Sequence, residues 1–431
     1  MRVDRRGFAG MAAGVMGALA LKPAGIELPG RRAVAAGPCD LAPSIAALTP
    51  MTDGVQPITD AERHQRLARA QELMGQMGIG GMVLEPGSSL YYYTGMRWGL
   101  SERPLVGVVP AKGELAWVCP AFEEARAREL IHFGTDIRVW QEDDSPYEVI
   151  AGILRDRGAA SGKVGVEERV RFFVMDGVRQ VLPAATWVSA TPITAGCRMI
   201  KSPAEIALMQ RANDITVVGM KAAFATLAEG MTPHEFGANA EAAFQRLGGS
   251  SPWALVGFGE YTAFPHGSIK PQRLKRGDVV LLDAGCAVQN YQSDITRTTV
   301  FGTPTARQTQ IWNLERKAQD AAFAAAKLGA TCGSVDDAAR KVITDAGFGP
   351  GYKVPGLPHR TGHGIGLEGH EWTNFVRGNT TRLAPGMCFS DEPTIAIYGE
   401  FGIRLEDCLH MTEQGPKFFS GQSPAVDRPF A

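Results

Sequence analysis

Histidines and carboxylates crowd into the run Thr361-Gly362-His363-Gly364-Ile365-Gly366-Leu367-Glu368-Gly369-His370-Glu371. A histidine between glycines makes a good metal ligand, because the backbone can come close and the imidazole stays accessible. Acidic residues on both sides of the run would complete a two-metal site. Val279-Val280-Leu281-Leu282-Asp283 is an apolar strand pattern closing on a carboxylate, which then needs a cation or a cap. Ser293-Asp294-Ile295-Thr296-Arg297-Thr298 follows, and a period of two puts Asp294, Thr296 and Thr298 on one face. Neighbouring strands that present carboxylates to one point repel unless a cation lies between them. Nearer the C-terminus, Phe389-Ser390-Asp391-Glu392-Pro393 sets Glu392 in an apolar strand context. In Gly402-Ile403-Arg404-Leu405-Glu406-Asp407 the alternation gives Arg404 and Glu406 a shared face. Asp283, Asp294, His363, Glu392 and Glu406 form an oxygen-rich set with one imidazole, which suits paired Mn²⁺, Co²⁺ or Zn²⁺ with bridging carboxylates. Metal-assisted hydrolysis is the chemistry such a pair performs.

Elements able to hold these residues can be read around them. Strand patterns near 279–283 and 293–300 flank a loop containing Asn290. Helices are expected at about 305–328 and 334–346, and strands dominate from Met387 to Met411. Ser202-Pro203-Ala204-Glu205 and Thr232-Pro233-His234-Glu235 are capping boxes with proline at the first helical position, starting helices to about Leu227 and Leu247. A strand at Trp253–Val256 comes next. Earlier, Thr59-Asp60-Ala61-Glu62 caps a helix to about Met77, followed by a short strand at Met82–Leu84. Leu105–Val109 and Leu115–Cys119 flank a turn and read as a hairpin. Helices near 121–133, 145–157 and 170–182 then alternate with strands near 137–140, 163–167 and 186–190, an α/β pattern. The expected organisation is an α/β domain over 57–196 and an α+β domain over 197–431.

At 431 residues, two domains are the default. Hydrophobic content of 45% and charged content of 21% are those of a globular protein. Lys+Arg of 44 against Asp+Glu of 45 gives a net charge of −1, a balance that gives no sign of a nucleic-acid surface or a polybasic membrane contact. The 7 cysteines show no CxxC pair, and their apolar neighbours favour free buried thiols. Arg2, Arg5 and Arg6 precede the weakly apolar run Phe8–Leu21, shorter than the ~20 residues of a spanning helix. Asp4-Arg5-Arg6-Gly7-Phe8 resembles a twin-arginine export signal, with Ala33-Val34-Ala35 as a cleavage site. Residues 1–35 are therefore expected to direct export to the periplasm, the cytoplasm being the alternative. A linker is expected over 36–56.

Asp283, Asp294, His363, Glu392 and Glu406, in this order and context, resemble the ligands of the pita-bread metallopeptidases: methionine aminopeptidase, aminopeptidase P, prolidase and creatinase. The similarity is strongest to the Xaa-Pro branch. It covers residues 198–415, including the entry Ile200-Lys201-Ser202-Pro203-Ala204-Glu205-Ile206. A weaker likeness to the creatinase-like N-terminal domain runs through Leu90-Tyr91-Tyr92-Tyr93-Thr94-Gly95. The resemblance implies a C-terminal pita-bread domain and two divalent cations, manganese first, with cobalt, zinc or iron as alternatives. By position, Asp283 would chelate one cation, Asp294 and Glu406 would bridge, and His363 and Glu392 would hold the other. Glu392 would also be the general base. His266 and His370 would meet the substrate carbonyl or assist proton transfer, and Arg404 matches the arginine beside the last ligand.

The implied substrate is a small Xaa-Pro peptide and the implied assembly a homodimer or homotetramer. Trp98 is a candidate for approaching a neighbouring pocket. His359 reads as structural, with a place at the border of the pocket as the alternative, and Cys286 and Cys408 as small buried neighbours of ligands. The chain departs from the family's usual pattern at Thr394, where glycine follows Glu-Pro, and at Thr373, where proline follows the His-Glu pair. Both positions flank the pocket. A same-fold metal-dependent lyase acting on dimethylsulfoniopropionate, and a non-catalytic peptide-binding protein, are the alternatives.

Overall fold

Capping chemistry starts the principal helices where the sequence places it. The structure is a computed structural model that describes residues 41–430. The expected export signal lies outside them. Thr59 accepts a hydrogen bond from the Glu62 amide and opens helix Asp60–Met77, which stops at Gly78 in the left-handed region, φ 67°. The Glu62 carboxylate does not close the box; it bonds Arg66 and the Ser202 hydroxyl instead. Ser202 and Thr232 each form complete capping boxes, opening helices Pro203–Phe224 and Pro233–Arg246.

In the N-terminal half, helices pack on a 6-stranded sheet. Its strand order is Asp136–Trp140, Ala116–Pro120, Val106–Pro110, Ile79–Leu84, Lys163–Val166, Thr186–Ser189. The expected hairpin is present, with Val106 opposite Val118. Ile79–Leu84 runs antiparallel to Val106–Pro110 and parallel to Lys163–Val166, so the sheet is mixed. Two helices carry no clear signal in the sequence. The tyrosine-rich stretch is helix Ser88–Thr94, although aromatic side chains favour strands; Gly95, φ 74°, ends it. Thr191–Arg198 is helical across the expected boundary at 196.

The C-terminal half mixes helices with antiparallel sheets, as an α+β domain should. Ile295–Val300, Val279–Val288 and Ser250–Phe258 form one sheet in that order, with Tyr291–Gln292 paired to the central strand. Glu371–Phe375, Gly362–Gly364, Cys388–Asp391, Asp407–Thr412 and Gly415–Phe418 form a second. Thr394–Ile397 pairs with Phe401–Arg404. Helices Ala306–Ala325 and Cys332–Asp345 cover the outside.

Part of the stretch expected as a linker is tied down. Ser44 bonds the Ala222 carbonyl, and the Met51 amide bonds the Leu247 carbonyl. The two halves meet at Arg66, whose guanidinium reaches the Tyr92 carbonyl at 3.0 Å, the Tyr291 hydroxyl at 3.2 Å and Glu205 at 3.4 Å. Tyr92 bonds the Cys197 carbonyl at 3.0 Å, so the tyrosine helix serves packing between the halves. No described helix is long and apolar enough to cross a membrane. All described cysteines are free and buried.

Candidate metal centre

Pairing register brings the carboxylates together. Asp283 lies in the middle of strand Val279–Val288, not at its end, with Thr296 opposite on one side and Leu255 on the other. Asp294 stands immediately before Ile295–Val300 and keeps the face of Thr296, as alternation requires. Glu392 and Glu406 are not inside strands, contrary to the apolar-strand expectation for Glu392. One ladder ends with Asp391 opposite Asp407, and another begins with Thr394 opposite Arg404. Glu392 and Glu406 occupy the break, where Pro393 cannot donate to a ladder and the strands diverge. The break turns both carboxylates toward Asp283 and Asp294, while Asp391 and Asp407 are buried elsewhere.

The glycines around His363 provide the close approach anticipated from the sequence. A Cβ on Gly362 would lie 2.1 Å from the Ser390 carbonyl oxygen, and one on Gly364 would lie 2.7 Å from that of Glu371. Only glycine permits these contacts. His363 Nδ1 donates to the Gly364 carbonyl at 3.1 Å, which leaves the Nε2 lone pair free. That Nε2 lies 3.2 Å from Glu392 Oε1 and 3.7 Å from Asp294 Oδ2.

Three overlapping groups, Asp283–Asp294–Glu406, His363–Glu392–Glu406 and Asp294–His363–His370, each bring one ligand atom per residue within 4.8 Å of the others. Every metal ligand anticipated from the sequence is in this cluster. Asp283 Oδ1 and Glu406 Oε1 are buried with no hydrogen-bond partner. Buried carboxylate oxygens of this kind are costly unless a cation meets them. Burial, and then the Glu406 and Asp283 charges, holds the Asp294 carboxyl well above the usual range. Burial and the Glu392 charge do the same to Glu406. Burial lifts Glu392 to about 7, with Asp283 adding and Arg404 opposing. Burial and neighbouring His370 keep His363 well below its ordinary value and so neutral. Mutually repelling carboxylates, unpaired buried oxygens and a neutral imidazole with a free lone pair together fit a pair of divalent cations.

Arg404 is buried beside the cluster and lines the same cavity. It is paired with Asp283 Oδ2 and donates to the Pro265 carbonyl and the Thr296 hydroxyl, each at 3.0 Å. Thr296 in turn donates to Glu406 Oε2 at 2.6 Å. Arg404 therefore orients ligands, and the role follows from contacts that alternation alone could not reveal.

The ligands open onto a cavity of about 730 Å³ that His266, His359, Arg360, His370, Tyr352, Trp253 and Leu255 also line. His266 and His370 are thus where the sequence reading put them, and His370 lies against His363 with ring centroids 3.9 Å apart and the planes tilted by 32°. His359 lines this cavity as well, and its contacts there are structural. Its Nδ1 donates to the Arg360 carbonyl at 2.7 Å and its Nε2 accepts from the Thr394 hydroxyl at 3.0 Å. Burial, reinforced by Arg404, pushes it down to about 3. The unusual Thr394 thus holds a cavity histidine. The Thr373 hydroxyl accepts from Asn379 at 2.7 Å, on the strand paired with that of His363. Trp98 lines a different cavity, with Arg126 over its ring at 4.4 Å. Cys286 and Cys408 are buried, as expected.

Residues 207–413 match the model of metallopeptidase family M24, and residues 66–200 match that of the creatinase/prolidase N-terminal domain. A probable dipeptidase, PepE, of Mycobacterium tuberculosis is 34% identical over 361 residues, covering 83% of this chain and 94% of that one. The chain belongs to metallopeptidase family M24. It is accordingly an enzyme of the peptidase class, with a creatinase-like N-terminal domain and a pita-bread C-terminal domain. An Xaa-Pro dipeptidase of Pyrococcus horikoshii is 28% identical over 358 residues, covering 82% of this chain and 96% of that one. The crystal structure of dipeptidase PepE from Mycobacterium ulcerans superposes with a TM-score of 0.80 at 32% identity, over 87% of this chain and 100% of that one.

Proposed function

We propose that this M24 enzyme hydrolyses the bond between a first residue and a following proline, in dipeptides or at peptide N-termini, with two divalent cations. The observation that carries the reading is the convergence of Asp283, Asp294, His363, Glu392 and Glu406 on one cavity wall beside His266, His359 and His370. The likeness to the P. horikoshii Xaa-Pro dipeptidase supports the substrate class. Asp283 would serve one cation, Asp294 and Glu406 both, and His363 and Glu392 the other, with manganese the first choice.

The bound cations supply Lewis acidity and lower the pKa of a water at the site. The side chains do the rest. Glu392, with Oε1 bonded by the Ser390 hydroxyl at 3.2 Å, takes a proton from the attacking water and returns it to the departing proline nitrogen. His370 accepts from Arg360 through Nδ1 at 3.1 Å, which leaves Nε2 to carry the proton and donate to the carbonyl oxygen as negative charge builds. His359, neutral and fixed at both nitrogens, keeps the cavity wall rigid. His266 lines the same cavity, within reach of a bound substrate.

A panel of Ala-Pro, longer Ala-Pro peptides and dimethylsulfoniopropionate, given to manganese-loaded protein, tests the assignment. Cleavage of Xaa-Pro bonds, abolished by a chelator, is expected. Release of dimethyl sulfide without peptide cleavage would replace the peptidase by a lyase. We further propose a homodimer exported through the twin-arginine route, carried by Arg5-Arg6. Light scattering of the pure protein and fractionation of cells bearing an R5K/R6K variant test these two points.

A further inference from the structure

Arg360 is a cation without a counter-ion. Its side chain is half-buried and lines both the metal cavity and a neighbouring one that also includes Glu168, Arg198, Glu371 and Trp372. Among the described residues, no carboxylate comes within the 4.0 Å of an ion pair. Its one side-chain hydrogen bond goes to neutral His370 Nδ1 at 3.1 Å, and burial together with the guanidinium itself holds that imidazole below its ordinary value. An arginine carries five N–H donors in a planar fork, so most of the fork is unused.

The acids nearest by cavity are committed elsewhere or out of reach. Glu371 is held by Arg198 and Lys201, and Glu368 by Arg169 and the Ser88 hydroxyl. Glu168 lines the second cavity without reaching ion-pair distance. Two divalent cations would balance the charges of Asp283, Asp294, Glu392 and Glu406. That count leaves Arg404 and Arg360 as net positive charge at the cavity; the Arg404 guanidinium is occupied by Asp283, Thr296 and the Pro265 carbonyl, whereas most of the Arg360 fork has no partner among the described residues.

We propose that Arg360 is a carboxylate-recognising subsite of this cavity, reading a negative charge on the substrate next to the reaction centre. The inference rests on the peptidase reading for the identity of the substrate. Two sources carry the required chemistry: the free α-carboxylate of a dipeptide, and an acidic side chain on its first residue. A planar guanidinium grips either one through paired N–H···O bonds, and a neutral amide in its place loses the charge-assisted contact.

The test compares kcat/KM for Ala-Pro against Ala-Pro-amide, and for Asp-Pro-amide against Asn-Pro-amide, in wild-type, R360Q and R360K manganese-loaded protein. In the wild type at least one of these ratios should exceed about tenfold in favour of the carboxylate. The same ratio should fall toward one in R360Q and recover in part in R360K. The pair that responds names the source. Ratios near one in the wild type, or a ratio that survives R360Q unchanged, overturn the proposal; uniform slowing of all substrates means Arg360 acts only through His370. Calorimetric binding of L-proline against L-prolinamide, and of aspartate against asparagine, to the same three proteins gives a readout without turnover. If no Xaa-Pro substrate is cleaved by the wild type, the peptidase reading fails, and the binding ratios still decide the role of Arg360.

Discussion

The residue that should matter most to stability without touching substrate is Glu371, next to His370. Its carboxylate is almost fully buried and receives Lys201 Nζ at 3.0 Å and Arg198 Nη2, while Arg198 also touches Glu368 at 3.6 Å. Burial alone would raise its pKa, but Lys201 and Arg198 overcome that and hold it at about 2, against 4.5 for an ordinary glutamate. A gap of that size corresponds to about 3 kcal/mol in favour of the folded state at neutral pH. Removing one partner of a buried ion pair costs a similar ~3–5 kcal/mol, because Arg198 and Lys201 would be left uncompensated. Glu371→Gln keeps the shape and removes the charge. Urea unfolding at pH 7 should place its midpoint lower by about 1 M, for an m-value of about 3 kcal/mol/M. The sign with pH follows from the depressed value. The carboxylate's contribution is complete above about 4.5 and is lost as pH falls toward 2, so the gap between wild type and variant should be flat from pH 5 to 8 and narrow below. A midpoint within 0.2 M of wild type at pH 7, or a gap that widens in acid, would refute the reasoning.

Other consequences concern the metal cluster. In metal-free protein the raised pKa of Glu392, about 7, means that the folded state binds more protons than the unfolded one between about 4.5 and 7; stability should fall as pH rises through that window, and loading with manganese should abolish the fall, both read by thermal melting. Asp294→Asn should raise the melting temperature of metal-free protein by relieving repulsion from Glu406, Asp283 and Glu392, while calorimetry shows loss of cation binding. Glu392→Gln should lower kcat on Ala-Pro by at least about 100-fold, since it removes a positioned proton carrier. Thr394→Val should lower kcat/KM about fivefold by freeing His359 Nε2, the loss expected from one hydrogen bond, with melting little changed.

What the sequence carried, and what it did not, divides along a physical line. Asp294 was readable because strand alternation is local, residues two apart sharing a face whatever the rest of the chain does, and Asp283 because a carboxylate is out of place after four apolar strand residues, although its strand runs on past it. His363 was readable because its glycines have a steric purpose, met by the carbonyls of Ser390 and Glu371. Helix starts at Thr59, Ser202 and Thr232 were readable because caps are local too. The contacts of His359 and Arg360 could not be read, because both sit in an irregular segment where no period assigns a face; only tertiary contacts with Thr394 and His370 give them roles. The tyrosine helix was hidden for a related reason, since its conformation is set by Arg66 and Cys197, distant in the chain. Glu392 and Glu406 are the instructive case. Their residue types and order pointed to the cluster, but a strand context would have buried each one among apolar neighbours. The centre exists because two ladders part between Asp391–Asp407 and Thr394–Arg404, and the unpaired residues at the break are the ones left free to face Asp283 and Asp294. Pro393 makes the break obligatory on one strand, because it has no amide to offer the ladder. A proline directly after an acidic residue, within a run otherwise able to form a strand, is therefore a signal for a carboxylate released from a sheet toward a site.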